Sequence, residues 1–291
     1  MNNKLYLMTA ILAFASVGAL LSQPTLMASA QSKSSSALDA ITGASTDTTS
    51  KKSTTKTSAS TADDNIPVSS LSCGQVVKTS VKLSSNLACS SDGLLVGADG
   101  ITIDLNGHSI TGPGPDKSKI GVSLATSSGV TIQGPGTIDG FQAGVLDTGG
   151  QGDSINKVIF QNNQIAVFAT GAKDTSISNN MMFDNDIGFA SHSSTGTDIN
   201  LNIMNGNKLA GITMVNSPDN KIDTNTIEKA NNGIFLDAQS TSNDVNTNTV
   251  MHNTGVDMNN ANGLPINVNK NSFVGNNCQT SVPDGLCVGG Q

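Results

Sequence analysis

The chain contains no arginine and no tryptophan, one tyrosine (Tyr6), and one glutamate (Glu228) among 22 acidic residues. All 15 basic residues are lysine. Aromatic residues make up 3%, charged residues 13% against a usual ~25%, and apolar residues 36% against ~45–50%. Each shortage excludes something. Without arginine there is no bidentate guanidinium clamp for a carboxylate or phosphate. An acidic chain of net charge −7, lacking a basic face and stacking rings, is unsuited to nucleic acid. Long charged helices and coiled coils need Glu, Lys, Arg and Ala in bulk. What is abundant instead is Asn, Ser, Thr and Gly. Such a composition in 291 residues suits either a polar disordered chain or a turn-rich β fold, and periodicity decides between them.

The N-terminal 30 residues read as a secretory signal. Lys4 supplies the positive end, Leu5 to Leu21 the apolar stretch, and Ala28-Ser29-Ala30 the small-residue cleavage site. The stretch is shorter than the ~20 residues of a spanning helix, so cleavage is expected in place of a retained anchor. Residues 31–65 are mostly Ser, Thr, Ala and Lys and cannot bury enough surface to offset ordering entropy, which predicts a disordered linker. Residues 66–291 then form one domain, with ten lysines against 18 acids. All four cysteines lie in it. An even number in an exported chain suggests disulfides. Of three possible connectivities, Cys73–Cys89 with Cys278–Cys287 brackets the two ends of the repeat described next.

A glycine followed by an apolar residue recurs at Gly121, Gly144, Gly188, Gly211, Gly233 and Gly255, with Ala166 in the one gap, in steps of 22 or 23. The residues after them run from Val122 through Val145, Val167, Phe189, Ile212 and Ile234 to Val256. A second ladder holds Ile132, Ile155, Ile177, Ile199, Ile222, Val245 and Val268, and a third runs Phe160, Met182, Met204, Ile227, Val250 and Phe273. Asn180, Asn202, Asn225, Asn248 and Asn271 form a fourth column, which Val158 interrupts. A fixed period near 22 with short β-type alternation marks a solenoid of stacked coils at ~4.8 Å spacing. The Asn column has two structural explanations: a left-handed turn residue, or an amide ladder between coils.

The stretch GLLVGADGITIDLNGHSITG from Gly93 to Gly112, and the Ile-x-x-Asn-x-apolar repeats from Ile177 to Phe273, resemble the pectate-lyase-like superfamily of β-helix repeat proteins, including the nitrous-oxide-reductase accessory type. The resemblance covers residues 73–287. It implies an all-β, single-stranded, right-handed parallel β-helix of about eight coils at the cell surface, in the periplasm or secreted. It says little about activity, because this fold hosts lyases, hydrolases, epimerases, adhesins and inert scaffolds.

The chemistries of those enzymes find little here. The arginine base of most pectate lyases is missing. The only Asp-Asp pair is Asp63-Asp64 in the linker, and no Asp-Pro-His-Glu run occurs. Strand alternation instead predicts a polar outer face. One column reads Thr131, Ser154, Ser176, Asp198, Lys221, Asp244 and Asn267, and the other Gln133, Asn156, Ser178, Asn200, Asp223, Asn246 and Asn269. Two functions follow. The first is a non-catalytic scaffold that holds polysaccharide or cell-envelope material on Asp198, Asn200, Asp223, Asp244 and Asn246. The second is a polysaccharide lyase with Lys221 as base and calcium bound by the flanking aspartates. The expected cofactor is none, with calcium the one alternative. No nucleic-acid partner is expected, and no membrane after signal cleavage. His108, His192 and His252 fall in different coils, and Met182, Met204 and Met214 read as core fillers, so no metal site is expected from them. Gly149-Gly150-Gln151-Gly152-Asp153 is similar to a calcium-binding nonapeptide, but it occurs once and lacks the spacer before the aspartate.

Overall fold

The computed structural model describes residues 66–288, apart from 263, 265, 266 and 269. The expected signal segment and linker lie outside the described residues.

The described chain is a parallel β-solenoid of about nine turns with a single 3₁₀ turn, Pro115–Lys117. Each coil contributes one strand to each of three sheets of ten, nine and ten strands. The coil at residues 176–192 serves as the type. Ser176–Ser178 lies in sheet I, Met181–Phe183 in sheet II and Ile187–His192 in sheet III. The next coil repeats the path at Asp198–Asn200, Ile203–Asn205 and Ala210–Val215.

The two short strands alternate half-exposed, buried, half-exposed, so each places one side chain in the core. This is why a three-residue strand suffices. Ile132, Ile155, Ile177, Ile199, Ile222 and Val245 stack in register and are fully buried. Phe160, Met182, Met204, Ile227 and Val250 do the same in sheet II. Stacking like on like gives a thin core of aliphatic columns, into which the rings of Phe141, Phe160 and Phe189 are also fully packed. Sheet III differs. Its longer strands are buried along almost their whole length, with Val122, Val145, Val167, Phe189 and Ile212 in the main core. The alternate residues, including Leu146, Phe168, Ala190 and Phe235, form a second apolar cluster. Glycine starts these strands because the backbone of the next coil is close. A β-carbon on Gly121 would lie 2.4 Å from the carbonyl oxygen of Gly144.

The asparagine column is an amide ladder. The side-chain NH₂ of Asn180 donates to Asn202 Oδ1 at 3.0 Å, Asn202 to Asn225 at 2.9 Å, Asn225 to Asn248 at 3.0 Å and Asn248 to Asn276 at 3.0 Å. The left-handed residue at this corner is the one before the column position, whether asparagine or Val158: Lys157, Asn179, Leu201, Thr224 and Thr247 have φ between 52° and 58°. Turn tolerance therefore does not explain the column, and hydrogen bonding does. A second ladder at the next corner joins Asn163, Asn185 and Asn207. A third joins Asn220, Asn243 and Asn271.

The last coil departs from the expected register. Val245 pairs with Phe273, not Val268, and Val268 is exposed. Asn248 bonds to Asn276, 28 residues on, while Asn271 belongs to the third ladder. Asp244 and Asn246 pair with Ser272 and Val274, displacing Asn267 and Asn269 from the outer columns, and Asn269 is outside the described residues. In sheet III the partner of Ile234 is Met258, so Gly255 and Val256 are two residues out of place. Extra residues thus enter between the last coils. A constant step counted from the middle of the array carries past them.

Both expected disulfides form, Cys73–Cys89 and Cys278–Cys287. They close the first and last coils.

Candidate functional site

The outer face of sheet I carries the expected polar columns. Strand pairing stacks Thr131, Ser154, Ser176, Asp198, Lys221 and Asp244, and beside them Gln133, Asn156, Ser178, Asn200, Asp223 and Asn246. All five proposed ligand-face residues and Lys221 therefore share one surface. The Lys221 ammonium lies 3.1 Å from Asp223 Oδ2 and 3.8 Å from Asp198 Oδ1. The Asp223 hydrogen bond, with the charges of Asp198 and Asp244, raises the Lys221 pKa. Asp223 is held below its ordinary value, first by the hydroxyl of Thr247, which donates to it, and then by Lys221. These groups are substantially exposed, so the ladder is a solvated one with little net effect on stability.

At the corner where sheet I turns into sheet II, a groove of about 460 Å³ is lined by Pro135, Lys157, Asn179, Met181, Leu201 and Ile203, among others. Leu201 and Ile203, one and three residues after Asn200, are exposed apolar side chains. Sheet I thus presents polar columns with an apolar strip along one edge.

A second group was missed as a site in the sequence. Asp147 and Asp153 are both buried at the corner between sheets III and I. Burial pushes Asp147 up to about 6. Burial, reinforced by the charge of Asp147, pushes Asp153 up to about 7. The glycine-rich run at 149–153 marked the place, but the sequence alone does not show that the aspartates turn inward.

The remaining candidates stay apart. His192 ends a sheet III strand, and His252 lies 3.6 Å from Glu228. Among the described residues, no three His, Cys, Asp or Glu side chains gather as a metal site. No helix among them is long and apolar enough to cross a membrane.

Three stacked sheets and their corner ladders define a parallel β-solenoid of the right-handed type. The family model described as periplasmic copper-binding protein (NosD) matches residues 86–285, more than two thirds of the chain. The chain belongs to that family. No curated protein matches it. The donor set was tested against the copper of the family's description. Copper takes imidazole, thiolate or thioether ligands. Among the described residues the three histidines are dispersed, all four cysteines are in disulfides, Met182, Met204, Met214 and Met258 are buried, and the half-buried Met181 and Met251 stand three coils apart in sheet II. Residues 1–65 contain no histidine or cysteine. These residues do not fit a copper site.

Proposed function

We propose that the protein is an exported, non-catalytic β-helix scaffold that holds polysaccharide along the outer face of sheet I. The observation that carries this reading is the pair of stacked polar columns. Carboxylates and amides at Asp198, Asn200, Asp223, Asp244 and Asn246 repeat at the coil spacing of ~4.8 Å, comparable with the length of one pyranose unit. The adjoining groove at Met181, Leu201 and Ile203 offers an apolar surface for the C–H face of a sugar ring. Periplasmic family membership supports export, and the cell surface or the medium is an extension of it.

The lyase reading is weaker on the same geometry. A general base must be unprotonated near the working pH. Lys221 sits between carboxylates that favour its charged form, which makes it a poor base.

Glycan-array binding by the purified protein, alongside an ultraviolet assay for unsaturated uronate products with calcium present, separates the two. Binding that falls at least tenfold in Asp223→Ala combined with Asn200→Ala, with no unsaturated product, is the expected result. Unsaturated product that disappears in Lys221→Ala would overturn the scaffold reading, and an array with no binding would remove its polysaccharide component.

A further inference from the structure

The acids at the corner between sheets III and I differ from a pattern that the last coils keep, with Thr175 and Thr197 at the same position in the two coils between. In those last coils the position belongs to the third amide ladder. Asn220 accepts the N–H of Thr197 on Oδ1 at 2.8 Å. Its NH₂ donates to Asn243 at 3.1 Å and to the carbonyl oxygen of Ser194, 26 residues back, at 3.3 Å.

Asp153 occupies the same place three coils earlier. Its Oδ1 accepts the N–H of Val130 at 2.7 Å. Its Oδ2 stands where the asparagine has its NH₂, is buried, and accepts no hydrogen bond. The carbonyl of Ser127, also 26 residues back, faces it as Ser194 faces Asn220. An acceptor therefore meets an acceptor where the later coils have a donor.

A third oxygen joins them. A β-carbon built on Gly150 would lie 2.1 Å from Asp153 Oδ2, 2.6 Å from Ser127 O and 2.8 Å from Asp147 Oδ1. Three oxygens thus crowd together beside Gly150, whose N–H also donates to Asp147 Oδ1 at 3.2 Å. Calcium–oxygen bonds of 2.3–2.6 Å allow two ligands of one ion to be up to about 5 Å apart. Oxygens that all lie within 2.8 Å of one point approach that limit or fall inside it. The other Asp147 oxygen accepts the Thr175 hydroxyl at 3.0 Å, which fixes the carboxylate. Among the described residues no lysine is paired with either acid. Gly149, Gln151 and Gly152, beside the buried acids, are exposed.

We propose that Asp147 Oδ1, Asp153 Oδ2 and the Ser127 carbonyl bind a calcium ion, with water completing its coordination. A dication offsets two buried carboxylates and turns the opposed acceptors into ligands of one centre. Calcium fits better than magnesium because it accepts irregular sets of carboxylate and carbonyl oxygens, whereas magnesium demands near-ideal octahedral geometry. The site adjoins Ser154 at the edge of sheet I, two coils before Asp198, and does not depend on polysaccharide binding.

The test is isothermal titration of chelator-stripped full-length protein with calcium chloride, paired with thermal denaturation. One equivalent is expected, with a Kd of about 10⁻⁵–10⁻³ M for so few protein ligands. Saturating calcium is expected to raise the midpoint by about 2–4 °C. Asp153→Asn recreates the amide of the later coils, so it should melt no lower than the stripped wild type and lose the calcium response. Asp147→Ser introduces the residue that stacks two coils on at Ser191 and should lose the response as well. Asp223→Asn, on sheet I, should retain it. Stripped wild type that binds no calcium overturns the proposal. Undiminished binding in both corner variants, or a response that is lost with Asp223 instead, does so too.

Discussion

Asn202 donates from its NH₂ to Asn225 Oδ1 and to the carbonyl of Ile177, and its Oδ1 accepts both the backbone N–H and the NH₂ of Asn180. Every polar atom of a side chain that is 1% exposed is thereby satisfied. Asn202→Ala strands those partners away from water, where each unsatisfied group costs about 1–3 kcal/mol. The expected loss is about 2–4 kcal/mol, read as a lower thermal or urea midpoint with the β-type circular dichroism retained. The column was visible in the sequence, but its cause was not. Asparagine suits both left-handed turns and amide ladders, and one-dimensional spacing does not separate them. The coordinates do, because the positive φ falls on residues as unlike as Leu201 and Thr224, one place earlier. Asp147 and Asp153 were less legible. Whether an aspartate beside a glycine-rich turn faces solvent or core depends on the coils above and below it.

Elements in this fold are short, and their register is set by neighbours in space more than by neighbours in sequence. Ile132 to Val245 could be read from spacing because each coil in that span takes 22 or 23 residues. The array first fails as a ruler before Val256, which pairs with Asn232 in place of Ile234, and again after Asn260, where sheet I resumes only at Ser272. Val268 satisfied the arithmetic and the apolar preference, yet Phe273 fills the column. The extra length enters a connection, where lengthening is cheap: each doubling of a loop costs only about 0.6 kcal/mol. Removing five residues between Ala261 and Lys270 would restore a 23-residue step. Stability is expected to change by less than about 1 kcal/mol, and amide exchange should show Ser272–Val274 still protected beside Asp244–Asn246. An exposed Ser272–Val274 in that variant would mean that the extra residues hold the last coil in place.

At the scale of the whole molecule, nine turns at ~4.8 Å make a rod roughly 40 Å long whose coils touch only their immediate neighbours. Binding surfaces on such a rod are rows, and groups on different coils converge only when the fold stacks them. That is why dispersed histidines stay dispersed and why the sheet I columns assemble without any motif in the sequence. It also bears on copper. Titration with Cu(II), or with Cu(I) under reducing conditions that spare the disulfides, should leave the melting midpoint within error and bind less than one equivalent at micromolar concentration. A stoichiometric site would show that residues outside the described chain, or a second copy, supply ligands the solenoid lacks.

The amide ladders all run in one sense. In each rung the NH₂ of the earlier coil donates to the oxygen of the later one, from Asn180 to Asn276, from Asn163 to Asn207 and from Asn220 to Asn271. Their dipoles therefore add along the axis instead of cancelling, and chains of this kind polarise one another by about 10–30% per bond. The rod has an electrical direction as well as a chain direction, with the oxygen ends toward the first coil. Its two tips are consequently unequal in the field they present, and a second rod stacked end to end would meet a favourable field head-to-tail and an unfavourable one head-to-head.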